Sequence, residues 1–82
     1  MGRRLAMNTV HCEASVLEAS RRMRQCHASE LIVVTETDGI PRPLGVVTAR
    51  DIVTRVMALG LDPEVLTAGD IAAFKPVPPA DD

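Results

Sequence analysis

Leu31 to Thr35 reads Leu-Ile-Val-Val-Thr, bounded by Ser29 before it and by Thr37-Asp38-Gly39 after it. So short a run cannot make a helix of ordinary length, and β-branched side chains pack well on a pleated surface, so these residues form a buried strand. Asp38-Gly39 turns the chain. Pro41 and Pro43 withhold backbone donors and stiffen the loop that follows, after which Leu44 to Val47 resumes as a second strand, antiparallel to the first. Every other element must pack against this hairpin.

On its N-terminal side, Ser15 is followed three residues later by Glu18, the capping-box spacing in which a hydroxyl and a carboxylate satisfy free amides at a helix start. Val16, Ala19, Met23 and Cys26 then recur on one side of a helix ending near His27, whereas Glu18, Arg21, Arg22 and Gln25 fall on the other. Asn8 to Cys12 suits a brief strand before that helix. Beyond the hairpin a second helix runs from about Ala49 to Gly60, a residue able to take the left-handed conformation that ends helices. The order is therefore strand, helix, strand, strand, helix over residues 8–60. Residues 1–7 form a leader, and residues 61–82 a Pro-rich linker or tail in which no further regular core element and no internal repeat are visible.

The chain has 82 residues with no Trp, no Tyr and one Phe, so aliphatic side chains alone must fill a small core. Domains this thin gain stability by oligomerising. The second helix offers the means: Ile52, Val56 and Leu59 form an apolar stripe that Val53 and Met57 widen beyond what one sheet contact needs. A homodimer through helix 49–60, with Val53 and Met57 in the interface, is expected.

A net charge of -2 and a pI near 5.6 argue against nucleic acid or an anionic membrane as the main partner. Arg21, Arg22 and Arg24, with Arg3 and Arg4, read as a solvated face, Glu18 pairing with Arg22, and no aromatic platform for bases accompanies them. No apolar run approaches the roughly 20 residues that span a bilayer, and residues 1–9 lack the apolar stretch of a signal peptide, which points to the cytoplasm. Cys12 and Cys26 are then reduced thiols. His11-Cys12 and Cys26-His27 match no zinc spacing, and the helix between them holds the pairs apart, which also excludes a catalytic Cys-His pair.

Gly45 to Asp51 reads GVVTARD, placing Thr48 and Asp51 where the last strand gives way to the second helix. With this string in that setting the chain resembles the CBS (cystathionine beta-synthase) domain family over about Asn8 to Gly60. ASVLEASRRM resembles the family's first helix, ELIVVTETDG its central strand and turn, and PLGVVTARDIV its last strand and second helix. The resemblance implies an α/β (α+β) fold of β-α-β-β-α order, a small three-stranded sheet with two helices packed on one face. It implies a regulatory domain and no enzyme. Thr48 and Asp51 would hold the sugar and phosphates of AMP, ADP, ATP or S-adenosylmethionine as a regulatory ligand, no cofactor being obligatory, and Val10 and Ile32 would sandwich the adenine. The chemistry agrees: a carboxylate accepts from both ribose hydroxyls, a Thr hydroxyl bonds a ribose or phosphate oxygen, and Arg50 can add a charged bond to phosphate. Thr-x-x-Asp is also a helix cap in its own right. A dimerisation or protein-interaction module that lacks nucleotide binding is thus the alternative, and in either case a regulated partner protein is possible. The family's motifs usually come in tandem with ligand clefts between them, whereas this chain has one; LTAGDIAAFKPV resembles the lead-in to a second, with Ala72 where Met is common. Ile32 stands where Pro is frequent. The missing half of the cleft must come from another copy.

Overall fold

A computed structural model describes residues 8–72 of the chain. The leader 1–7 with Arg3 and Arg4, and the tail 73–82, lie outside the described residues. The elements are β1 (Thr9–His11), α1 (Val16–Cys26), β2 (Glu30–Thr37), β3 (Ile40–Thr48), α2 (Ala49–Ile52), which continues as a π-helical turn over Val53–Met57, and α3 (Ala68–Ile71). The sheet has three strands in the order β1-β2-β3, β1 parallel and β3 antiparallel to β2. This mixed α+β arrangement follows from the connections: a two-residue turn joins β2 to β3, whereas parallel β1 and β2 need a crossover, which α1 supplies.

Asp38 and Gly39 both have positive φ, 54° and 78°, the type I′ geometry whose twist matches that of the strands. The second strand is longer than the sequence suggests: it begins at Ile40 and takes in both prolines, where a loop is expected. β3 is an edge strand. Pro41 and Pro43 lie two residues apart and so turn the same way, toward the open edge, where a missing N–H breaks no ladder bond. Leu44 is the extra residue of a bulge, since Val33 pairs with Gly45 and Val34 with Pro43.

At the start of α1 the Ser15 hydroxyl accepts from the Glu18 amide at 3.0 Å, and His27 in the left-handed region, φ 55°, ends the helix. Val16, Ala19 and Met23 face inward, while Cys26 is half-buried. Arg22 is not paired with Glu18 as the i,i+4 spacing suggests; its Nε donates to the Thr9 carbonyl at 3.2 Å, because α1 lies across the outward-facing edge of β1.

Leu31, Val33 and Val47 from the sheet, Val16, Ala19 and Met23 from α1, and Ile52 and Val56 from α2 and its π turn make one aliphatic core. Val10, Ala68, Ile71 and Ala72 complete it. The last three overturn the expectation that nothing beyond Gly60 belongs to the core. The amides of Val16 and Leu17, orphans of the first turn of α1, donate to the Leu66 and Pro63 carbonyls at 2.8 and 2.9 Å. In return Ala68 and Gly69 donate to Ala14 and Cys12 at 2.7 and 2.9 Å. Segment 62–72 therefore clasps the entry to α1. The clasp carries a repeat that the sequence does contain: Thr67-Ala68-Gly69-Asp70-Ile71 copies Thr48-Ala49-Arg50-Asp51-Ile52 with one change, and both copies fold into the same capped turn.

The apolar stripe of the second helix is also only partly as expected. Ile52 and Val56 are buried, but Leu59 is 66% exposed. The cause is the π turn, in which Ala58 donates to Val53 five residues back, so that the wider turn carries Leu59 off the stripe; Gly60, at φ 73°, then ends the helix, with Gly60 and Leu61 donating to Met57 and Val56. No helix of the described residues is long and apolar enough to cross a membrane.

Candidate functional site

Thr48 is the hinge between β3 and α2, with φ -113° and ψ 160°, the extended conformation of a helix N-cap. Its Oγ1 accepts from the Asp51 amide at 3.0 Å, and its own amide donates to Asp51 Oδ2 at 3.2 Å, a reciprocal capping box. The fold holds this turn against β2, since the Ala49 amide donates to the Ser29 carbonyl at 2.9 Å. Two groups stay available: the Thr48 hydroxyl proton and Asp51 Oδ1 have no partner among the described residues. A hydroxyl that can donate beside an oxygen that can accept is a fit for a sugar or phosphate edge. Thr48 and Asp51 are half-buried, and Arg50 in the same turn is exposed, its guanidinium free to reach an anion.

Strand alternation decides which other residues share this ledge. Leu31, Val33 and Val47 point to the helices and are fully buried, so Ile32, Val34, Val46 and Thr48 point to the opposite face, which no helix of the described residues covers. Ile32 pairs with Val46, and both are half-buried, an apolar platform one step along from Thr48. Ile32 thus meets Thr48, Arg50 and Asp51 at one end of the sheet. Val10 does not. It pairs with Val33 and is 9% exposed within the core, so its side chain cannot sandwich a base with Ile32. The reason is the strand's period of two: the residue of β1 opposite Ile32, on the open face, is Thr9. Thr9 is the position that sequence reading missed, because a three-residue strand is too short to reveal its own phase.

The ledge is open. Two grooves of about 400 and 300 Å³ lie elsewhere, one between β1 and α1 beside His11 and Arg21, the other between Leu59, Leu61 and Ile71. Neither is lined by Thr48 or Asp51. Among the described residues the Thr48–Asp51 ledge has one wall. Cys12 and Cys26 are not joined in a disulfide, the Cys26 thiol donating to the Arg22 carbonyl at 2.9 Å, and among the described residues no group of three or more His, Cys, Asp or Glu is placed to hold a metal ion.

The CBS domain family model matches residues 3–58. Among solved structures, Hypoxic Response Protein I with two coordinated zinc ions is 34% identical over 78% of this chain, with TM-score 0.70. A cystathionine beta-synthase domain protein fused to a Zn-ribbon-like domain is 30% identical over 85%, with TM-score 0.73. A CBS domain protein from Pyrobaculum aerophilum complexed with AMP is 27% identical over 83%, with TM-score 0.64. The chain spans 51% of the first and third of these structures and 94% of the second. Comparison with curated proteins finds no match. The family match takes in most of the chain, its strand order and its Thr48–Asp51 turn, and similar structures repeat its fold: the chain belongs to the CBS domain family.

Proposed function

We propose that this chain is a regulatory, non-catalytic domain that binds an adenosine-containing ligand, of the class AMP, ADP, ATP or S-adenosylmethionine, as a homodimer. The observation that carries the reading is the Thr48–Asp51 turn: its backbone is satisfied internally, yet it leaves one hydroxyl proton and one carboxylate oxygen facing outward beside the apolar pair Ile32 and Val46. The base lies on that pair and the ribose bonds to Asp51 and Thr48, with Arg50 reaching the tail of the ligand. AMP bound to a family member of the same fold supports the ligand class.

The homodimer forms through the helix from Ala49 to Gly60, where Val53 and Met57 are 56% and 58% exposed, and the open face of the sheet is left for the ligand. Ligand binding changes the geometry of the assembly and so its affinity for a regulated protein in the cytoplasm. A second reading, an interaction module without a ligand, is favoured by the capping box itself, which gives Thr48 and Asp51 a complete structural role.

A thermal-shift series with AMP, ADP, ATP, NAD and S-adenosylmethionine separates the two, since a ligand that binds only the folded form raises its melting temperature. The proposal expects at least one adenosine compound to raise it by several degrees. A flat response to all five supports the interaction module.

A further inference from the structure

Ala49 and Ser29 share a ladder bond, so the next residues inward, Thr48 and Glu30, form a non-hydrogen-bonded antiparallel pair. In such pairs the Cα atoms are about 4.5 Å apart and the side chains stand at their closest. Glu30 and Thr48 share the open face with Ile32 and Val46, by the alternation that buries Leu31 and Val47 against the helices. The Thr48 hydroxyl is thus flanked by two carboxylates, Glu30 across the strands and Asp51 along the chain. Arg50 is the one cation of the turn from Thr48 to Asp51, and it is exposed. Two carboxylates and one guanidinium thus lie at this end of the ledge, a net negative charge.

We propose that Glu30 selects ligands by charge, so that this site takes an adenosyl compound with a neutral or cationic tail, such as a sulfonium and an ammonium, in preference to a polyphosphate. The inference rests on the adenosine-ligand reading and deepens it. A solvated carboxylate within several ångströms of a phosphate repels it by an amount that is modest per charge and accumulates over a triphosphate, about three- to tenfold in affinity at low salt. The same carboxylate attracts an ammonium by a similar factor.

The test is calorimetric titration of the 82-residue chain with adenosine, S-adenosylmethionine and ATP at low and high salt, repeated with Glu30→Gln. Glu30 is exposed and bonds to nothing else in the fold, so the variant is expected to melt with the wild type. S-adenosylmethionine is expected to bind at least about tenfold more tightly than ATP at low salt, with the gap closing as salt screens the charges. Glu30→Gln should tighten ATP at least threefold, weaken S-adenosylmethionine, and leave uncharged adenosine unchanged. ATP binding as tightly as S-adenosylmethionine, or a ratio between them that Glu30→Gln does not move, overturns charge selection and leaves the adenosine site standing. If none of the three binds, both fall together.

Discussion

Thr48 caps α2 and, in the proposed function, also faces the ligand, and a single substitution measures the first of these roles. Thr48→Val removes the acceptor of the Asp51 amide and is expected to cost about 1 kcal/mol of stability, the usual loss for an N-cap threonine, read as a lower urea midpoint with an unchanged slope. An unchanged midpoint would mean that Asp51 alone holds the turn. Thr48, Asp51 and Arg50 are legible in the sequence because their placement is local: a strand, a Thr-x-x-Asp and a helix follow one another within a few residues. Ile32 comes from the family resemblance alone, since the unbroken apolar run Leu31 to Val34 does not show which of its residues face outward. Val10 is not legible either, since which face a residue of β1 presents is set by pairing with a strand more than twenty residues away, and only the Val10–Val33 register turns Val10 inward and Thr9 outward.

Among the elements, the hairpin and α1 declare themselves through turn chemistry and helical spacing, whereas the π turn and α3 do not. A five-residue widening of a helix carries no spacing signal, and α3 is a single turn stabilised by bonds to the distant segment 12–17. The duplicated Thr-Ala-x-Asp-Ile was the available clue, since its first copy caps a core helix. Two consequences can be measured. Ile71→Ala is expected to destabilise the fold by about 2–4 kcal/mol, the cost of a cavity in a core that cannot collapse, whereas Leu59→Ala should lie within about 0.5 kcal/mol of wild type. Equal effects on denaturant unfolding would place α3 outside the core or Leu59 within it. Gly69→Ala brings a methyl group to 3.0 Å from the Cys12 carbonyl oxygen and 3.2 Å from its Cβ. Helix propensity favours the substitution by about 1 kcal/mol, but the atoms it meets are the backbone carbonyl and Cβ of Cys12, which cannot swing aside as a side-chain tip could, and net destabilisation of about 1–2 kcal/mol is expected. A raised melting temperature would show that the clasp yields easily.

Among the described residues the core's largest fully enclosed side chain is one leucine, while Val53, Met57, Leu59, Leu61 and Val65 remain exposed around the second helix and the clasp. That balance favours assembly over a lone monomer. Val53→Glu places a charge on this surface; it is expected to leave the monomer folded, because Val53 is 56% exposed, and to dissociate the dimer, where the same carboxylate would be buried unpaired. Light scattering at micromolar concentration reads the difference. A monomeric wild type, or a variant that stays dimeric, would move the interface elsewhere.

Binding at the Thr48–Asp51 ledge is tested most directly by calorimetric titration of AMP into the wild type and into Asp51→Ala. Loss of the charged acceptor for the ribose hydroxyls is expected to weaken binding by about 1–3 kcal/mol, roughly 5- to 150-fold in Kd, with the variant still folded. Saturable binding in the wild type with that loss in the variant is the predicted result; the same Kd in both would place the ligand elsewhere, and no binding of AMP, adenosine or S-adenosylmethionine to the wild type would contradict the adenosine site itself.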